Sequence, residues 1–500
     1  MNQNIKFSIS KYVIFCFSGI LMVVITGLLF SCSGNIKSYT DEKREPKIEP
    51  DYSDITIPPN IAPMNFMINE EAEKYSVHMY SLSSEGLIVK STDKSIQIPS
   101  GKWEKLMAQC KGGDLFIDLY IKQRGSWGKF ETIVNHVAFE PIDSYLVYRL
   151  FDQGFEAWNK MGIYQRCLEN FNVSPIMIND MSEGGCMNCH TFNKNNSNTM
   201  LFHMREKMPG TIIYKNGNIT KVNTKTDQTI TPGMFASWHP DGRYIAFSNN
   251  RNPVFFNSIH NKLRETVDTL SDLILYDSEK NIVYKYPELA SSDRFETFPS
   301  WSPDGKYLYF CSAIALPISK LRDIRYDLLR VSFNSETHQF GKIDTVVYST
   351  SNGLSASFPR ISPDGKFLLF CMSSYGNFSI WNSTSDLYIK NLETGETFMP
   401  DINSKYAESY HTWSSNGKWI VFSSKREDGF STLPYFVYFD SLGKTHKPFL
   451  LPQKDPAFYR TFLRSYNVPE LVTSKINLSP NDFSGILRSE PSKASFETLK

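Results

Sequence analysis

The strongest constraint on this fold is a short sequence pattern that occurs four times beyond residue 230. Each copy runs from an aromatic residue through a Pro-Asp-Gly or Asn-Gly turn into a second apolar run that ends in Phe. Turn residues between two apolar runs predict a β-hairpin. The turn glycines recur at intervals of 63, 60 and 52 residues, so each hairpin belongs to a larger repeating unit. The copies span 235–247, 298–310, 358–370 and 410–422, with turn glycines Gly242, Gly305, Gly365 and Gly417.

Two further strand-like runs follow the hairpins, as in 272–276 and 386–389. Four antiparallel strands per repeat predict the blade of a β-propeller. The Ser-Pro-Asp-Gly hairpin followed by an aromatic strand closely resembles the repeats of TolB-like β-propellers over residues 235–452. This resemblance implies an all-β fold with six blades, of which two must come from residues upstream of 235.

Two upstream stretches can supply the missing blades. Residues 141–148 resemble one degenerate hairpin strand. The other blade would contain residues 186–190 at its turn, followed by strands over 200–204 and 210–214. The alternative is a small helical domain around 186–190, for which residues 150–185 could provide the helices.

The remaining boundaries follow from composition. The propeller covers 136–452, and 453–500 becomes a C-terminal tail. Residues 56–135 contain short β-rich runs separated by Gly, Ser and Asp, a spacing that predicts a small β-sandwich. Residues 32–55 are polar and charged without apolar periodicity, which predicts a flexible tether.

Residues 1–31 have the features of an export signal. Lys6 and Lys11 precede an apolar run over 12–30, and Cys32 follows directly. This N-terminus resembles bacterial lipoprotein signals, which implies cleavage before Cys32 and lipid on its thiol. An uncleaved anchor helix is the alternative, because a run of about 19 residues can span a bilayer. Both interpretations place the chain outside the cytoplasm, on a membrane in the periplasm or outer membrane of a Gram-negative bacterium.

The stretch Cys186-Met-Asn-Cys189-His190 has the spacing of a c-type haem attachment site. Two thiols at this spacing add to the two vinyl groups of one haem, and the adjacent imidazole then binds the iron. A redox disulfide is one alternative. A zinc half-site is another, although no second Cys/His pair of short spacing follows. Export supports haem, because bacteria attach haem c outside the cytoplasm.

A haem iron bound by His190 needs a second axial ligand or an open site. If residues 200–205 form a strand, the period of two places Met200 and Met204 on one face. His203 and Arg205 then share the other face, and we expect His203 to bind the iron while Arg205 pairs with a haem propionate. Sulfur ligation from Met200, Met204 or Met208 is the alternative.

Residues just before each repeated turn lie on the first strand of a blade, which lines the channel of a propeller. They include two acids, a guanidinium and an imidazole, which could form a binding site at the channel mouth. They could instead form ion pairs and hydrogen bonds with one another around solvent, and we expect this structural role more often. These residues are Glu296, Arg360, Glu408 and His411.

The chain has 53 basic and 52 acidic residues and no long block of one sign, so we do not expect nucleic acid as a partner. No recognisable catalytic set accompanies the haem motif. The leading hypothesis is therefore a lipid-anchored cytochrome carrying one covalent haem c, with the propeller as a docking platform for protein redox partners. A non-redox binding or assembly module with a Cys186–Cys189 disulfide is the first alternative. An enzyme with an open iron site is the second.

The lipid anchor gives the first testable prediction. A Cys32→Ala protein should leave the membrane pellet and appear in the soluble fraction, because its thiol acceptor for lipid is gone. Fractionation with immunodetection measures this, and Cys16→Ala within the signal is the matched control that should stay in the pellet. Sedimentation of the Cys32→Ala protein with membranes would show that another element provides the anchor.

Overall fold

The structure, a computed structural model, describes residues 36, 38–153, 159–256 and 264–498. Strands make up 48% and helices 10%, so the expected mostly β character is confirmed. Within these residues no helix is both long and apolar enough to cross a membrane. The predicted signal over 1–31 and the lipidation site Cys32 lie outside the described residues.

Six antiparallel sheets of similar build form the larger part of the molecule, and we number them by chain order. Their innermost strands contact one another in cyclic order, which produces a propeller-like arrangement around a central channel. Sheet 1 contains Arg464–Val472, Tyr145–Asp152, Met161–Cys167 and Val173–Ile178; sheet 2 contains Cys186–Phe192, Thr199–Arg205, Gly210–Lys215 and Asn218–Asn223; sheet 3 contains Met234–Trp238, Tyr244–Arg251, Leu270–Asp277 and Ile282–Lys285. Sheet 4 contains Arg294–Trp301, Tyr307–Ile314, Asp327–Asn334 and Gln339–Val347; sheet 5 contains Ser355–Ile361, Phe367–Ser373, Asp386–Asn391 and Thr397–Phe398; sheet 6 contains Glu408–Trp413, Trp419–Ser424, Leu433–Tyr438 and Phe449–Leu450.

The repeated turns are stabilised by their own side chains. In sheet 4 the Ser302 hydroxyl donates to Asp304 Oδ1 at 2.6 Å and accepts the backbone N–H of Tyr307 at 3.0 Å. Asp304 also accepts the backbone N–H of Lys306 at 3.1 Å. Gly305 has a positive φ of 73°, which a glycine adopts at little cost. The hydrogen bonds and backbone conformation of the turn therefore explain the Ser-Pro-Asp-Gly sequence.

A strand from the C-terminal region closes the ring of sheets. Arg464–Val472 pairs antiparallel with Tyr145–Asp152 and is the innermost strand of sheet 1. The prediction that 453–500 is a tail is therefore wrong for this stretch. The sequence there carries no hairpin signal, because the strand pairs with residues more than 300 positions earlier in the chain.

The residues after this strand also pack on the propeller. Phe483 and Leu487, on the short helices Pro480–Phe483 and Ser484–Arg488, are buried in the core between sheets 1 and 2. Ser492–Lys493 then adds a parallel strand to the outer edge of sheet 2. Ser495–Thr498 does the same at sheet 3.

The N-terminal unit combines a large sheet, a small sheet and a helix. Helix Ser100–Cys110 buries one face against the large sheet, a feature that the predicted β-sandwich over 56–135 did not include. Residues 32–55 were expected to be a tether, yet Thr40–Asp41 pairs with the large sheet and Ile48–Glu49 with the small one. The large sheet comprises Thr40–Asp41, Thr56–Ile57, Lys74–Ser81, Ser84–Ser91, Gly113–Gln123, Ser126–Lys129 and Ile133–Val137, and the small one Ile48–Glu49, Phe66–Ile68 and Ser95–Ile96.

The N-terminal unit is joined to the propeller through sheet 6. One apolar core runs continuously through both. Tyr52 donates its hydroxyl proton to the carbonyl of Leu450 at 3.2 Å, and the indole of Trp419 donates to the carbonyl of Glu140 at 3.0 Å. Buried hydrogen bonds of this kind fix the orientation of the two units.

The tryptophans of the repeats give the second prediction. Trp301 is only 6% exposed and packs against His239 of sheet 3 and Phe333 of its own sheet, at centroid distances of 4.7 and 5.1 Å. Trp301→Ala should lower the free energy of unfolding by about 3 to 5 kcal/mol, because it leaves a large cavity between two sheets. Chemical denaturation measures the loss. Tyr348→Ala, at a side chain that is 65% exposed, is the control and should change stability by less than about 0.5 kcal/mol; a similarly small loss at Trp301 would contradict the packing.

Candidate functional site

Each innermost strand of the ring contains one residue with positive φ, at the same level of the channel. The φ values lie between 44° and 55°, and the pairing with the second strand shifts by one residue at each of these points. Such β-bulges redirect a side chain out of the sheet. The six residues are Cys189, Phe235, Phe298, Phe358, Tyr410 and Val468, and all of them line one cavity in the channel.

The cavity has a volume of about 340 Å³, and seven Phe, Trp or Tyr residues belong to its lining. The ring of Phe298 lies 4.7 Å from that of Phe235 and 4.0 Å from that of Phe358, which in turn lies 4.9 Å from Tyr410. Cys189 is the one thiol among the six bulge residues. A cavity of this size and apolar character is typical of sites for small ligands and cofactors.

Cys186 and Cys189 both line this cavity, and neither forms a disulfide. The motif was expected at a turn. The structure instead places it in the first strand of sheet 2, Cys186–Phe192, and the turn comes afterwards, at residues 193–198. The bulge at Cys189 makes this arrangement work, because it moves the second thiol onto the channel wall.

His190 lines the same cavity but points toward sheet 1. Its side chain is 1% exposed, and its ring nitrogens lie near the carbonyls of Val147 and Val468 without a hydrogen bond of normal geometry. Burial, and then the nearby guanidinium of Arg149, lower the pKa of His190 to about 3. The imidazole is therefore neutral, which is the form that binds iron.

His411 of sheet 6 occupies the equivalent position and shows what a purely structural histidine does there. Its Nε2 lies 3.1 Å from the carbonyl oxygen of Leu369, and its Nδ1 lies 3.6 Å from the sulfur of Cys371. By strand register, Arg149 of sheet 1 stands where Cys371 stands in sheet 5. His190 thus has an equivalent fold position but no sulfur partner. The carbonyl of Val147, which stands where that of Leu369 stands, lies near its ring without normal hydrogen-bond geometry.

His203 lies on the other face of sheet 2, so in this fold it cannot share an iron with His190. It pairs with Asn188 and faces sheet 3, where its ring lies 5.8 Å from that of Phe247. Its Nδ1 is 2.9 Å from the hydroxyl of Thr211. Burial, and then Arg205, lower its pKa to about 3. It lines a separate cavity between sheets 2 and 3, and the expected axial role of His203 is corrected accordingly.

Arg205 borders both cavities, and its Nη2 lies 3.6 Å from the sulfur of Met234. The predicted methionine ligands lie elsewhere. Met200 and Met204 are buried in the core between sheets 1 and 2, and Met208 packs against that core. None of these three methionines lines the cavity that contains His190.

Met161 is the methionine that does line this cavity, and no sequence pattern pointed to it. It begins the strand Met161–Cys167 of sheet 1, and its thioether accepts the backbone N–H of Met187 at 3.3 Å. The haem motif lies on the neighbouring sheet, 25 residues later in the chain. No local spacing links the two, because the ring of sheets brings them together.

The four residues expected at the channel mouth divide into two pairs. Arg360 and His411 line the cavity. Glu408 does not, because it is buried against Arg426, with Oε1 3.4 Å from Nη2, and accepts hydrogen bonds from two serines. Glu296 is also buried away from it, and desolvation followed by Asp272 raises its pKa to about 8. The two acids therefore lie outside this cavity, and their burial agrees with the structural role that we expected more often.

No protein-family model matches this chain. The uncharacterized protein Atu1656 of Agrobacterium fabrum is 24% identical over 257 residues, covering 44% of this chain and 77% of its own length. Similar solved structures include a nidogen/laminin complex, with 9% identity, a TM-score of 0.35 and coverage of 61% of this chain and 93% of that one. The Dos1 propeller has 12% identity and a TM-score of 0.34, over 54% of this chain and 62% of that one. TM-scores this low carry no argument about function.

In the described residues, no three His, Cys, Asp or Glu side chains are placed to hold a metal ion. Among these residues the structure therefore adds no further ligands for a zinc ion at the Cys186–His190 motif. The haem alternative has two cysteines outside any disulfide and a neutral imidazole in the lining of one cavity. These residue types fit haem c, which needs nothing else from the protein for attachment.

Proposed function

We propose that this protein is a lipid-anchored, extracytoplasmic c-type cytochrome that relays single electrons. Cys186 and Cys189 would hold the haem covalently in the channel mouth, with His190 as the proximal ligand. The observation that supports this most directly is that all three residues belong to the lining of one cavity. Haem supplies reversible one-electron exchange at its iron, and the chain supplies attachment, a neutral ligand and an apolar enclosure.

The scaffold in this proposal is a six-bladed, TolB-like propeller. Six four-stranded sheets with cyclic contacts between their inner strands support that blade number. The haem motif then forms the inner strand of one blade, so a separate helical cytochrome domain is unnecessary. A propeller also presents wide loop surfaces around the channel mouth, where protein redox partners can dock.

The unpartnered nitrogens of His190 favour a cofactor over a purely structural role for the motif. The equivalent His411 is satisfied by Leu369 and Cys371, as expected of a buried polar group in a stable core. His190 lacks such bonds, although burying its ring without them costs free energy. Iron would occupy one of these nitrogens.

Met161 is our candidate for the sixth ligand of the iron. It is the sulfur side chain that lines the cavity together with His190 and the two cysteines. A filled sixth position favours electron relay over the open-site enzyme, because no exogenous substrate then reaches the iron.

The third prediction concerns attachment. Protein purified from a host with haem-maturation machinery should show a Soret band that survives denaturation. The Cys186→Ser/Cys189→Ser protein should lose it, because no thioether bonds can form. Cys311→Ser/Cys371→Ser is the matched control, since these buried thiols of sheets 4 and 5 do not line the cavity.

The two equivalent histidines sharpen this test. His190→Ala should change or abolish the haem spectrum, whereas His411→Ala should lower stability and leave the spectrum intact. A wild-type protein without covalent haem would overturn the proposal and leave a propeller binding module.

The fourth prediction separates the axial ligands. Met161→Ala should remove the sulfur-to-iron charge-transfer band and lower the midpoint potential, because methionine ligation stabilises the reduced iron. Absorption spectroscopy and redox titration measure both quantities. His203→Ala and Met200→Leu should leave both unchanged, because these side chains do not reach the cavity. A bis-imidazole spectrum that is lost in His203→Ala would contradict the geometry described above.

A further inference from the structure

The cavity at the channel mouth carries far more positive than negative charge. Its wall contains four arginines but only one carboxylate, Glu206, among the described residues. The chain as a whole is nearly balanced, with a formal charge of +1. The arginines come from four different sheets, so chain folding collects them there. They are Arg149, Arg205, Arg264 and Arg360.

Arg149 is placed to bind an anion. One Nη donates to the carbonyl of Met187 at 3.2 Å, and the guanidinium lies 4.9 Å from the ring of Phe151. Its Nε is buried without a hydrogen bond. Within the described chain Arg149 forms no ion pair, so this charge is held beside an apolar wall without a carboxylate to balance it.

Arg264 lines the same cavity as Arg149. It stands on the strand Arg264–Thr266, which pairs antiparallel with Val254–Phe256 in a separate two-stranded sheet, and it is only 8% exposed. Burial, and then the charge of Arg149, lower the pKa of Arg264. Its guanidinium also lies 5.3 Å from the ring of Trp381. Two guanidinium groups in the lining of one cavity are both stabilised by an anion that binds there.

We infer that the channel mouth recognises a flat apolar ligand through its carboxylate groups, with Arg149 and Arg264 as the residues that bind a carboxylate. The aromatic wall accepts the apolar body, and planar guanidinium groups suit carboxylates because they can donate two parallel hydrogen bonds. The identity of the ligand rests on the proposed function: the ligand is the porphyrin, and the carboxylates are its propionates. The recognition itself does not require the two cysteines.

The test uses the full chain produced without haem-maturation machinery, so that no covalent haem is present. Protoporphyrin IX and its dimethyl ester are titrated separately in the same detergent-containing buffer, and the porphyrin emission is followed. The free acid should bind at least about tenfold more tightly than the ester, because only the acid forms charge-assisted hydrogen bonds. Arg149→Met and Arg264→Met should each remove most of this preference while leaving ester binding nearly unchanged.

Two further variants keep the result interpretable. Arg149→Lys keeps the positive charge but loses the two parallel N–H donors of the guanidinium, so it should retain part of the preference for the free acid. Arg322→Met, at an exposed arginine of a sheet 4 loop, should have no effect. Equal affinity for acid and ester, or an unchanged preference in both Arg149→Met and Arg264→Met, would overturn the inference.

The outcome also separates this inference from the proposed function. Covalent haem together with unchanged acid preference in both arginine variants would refute carboxylate recognition and leave the cytochrome proposal standing. Acid preference that depends on the arginines, in a protein that never acquires covalent haem, would support the carboxylate site and refute the cytochrome proposal.

Discussion

The pairing of Arg464–Val472 with Tyr145–Asp152 is the interaction on which the rest of the structure depends. Without it sheet 1 has no innermost strand, and the ring of sheets stays open. The cavity wall would then lose Val468, and the backbone beside His190 would be missing on one side. Contacts between residues so distant in sequence cost much loop-closure entropy, and the continuous core that joins sheets 1, 5 and 6 to the N-terminal unit helps to offset it.

Local patterns predicted the sheets well, because the repeated turns carry their own chemistry and recur in each unit. The helix Ser100–Cys110 was not predicted, although its buried residues follow helical spacing at Trp103, Leu106, Met107 and Cys110. The closing strand was not predictable, because it has no adjacent hairpin partner. The face of sheet 2 on which the His190 side chain lies was not predictable either. A regular register would pair His190 with Leu201, on the side of His203, and the bulge at Cys189 shifts that pairing to Thr191.

An arginine accompanies each buried histidine of the two cavities: Arg149 beside His190, Arg205 beside His203, and Arg360 beside His411. Burial and these charges keep the imidazoles neutral. Because the pKa of each is lowered in the folded state, their contribution to stability is complete above the ordinary histidine pKa of about 6.5 and is lost as the pH falls below it. The arrangement therefore keeps these imidazoles neutral throughout the physiological pH range, at the cost of acid tolerance.

The late position of the closing strand also sets an order of events while the chain is made. Residues are synthesised from the N-terminus onward, so Cys186 and Cys189 are present long before Arg464–Val472 follows. During that interval the edge of sheet 2 faces an unfinished neighbour, and the two thiols can be approached from the side. Once the last strand pairs, access is restricted to the open ends of the channel. The topology thus makes these two thiols easiest to modify before the chain is complete.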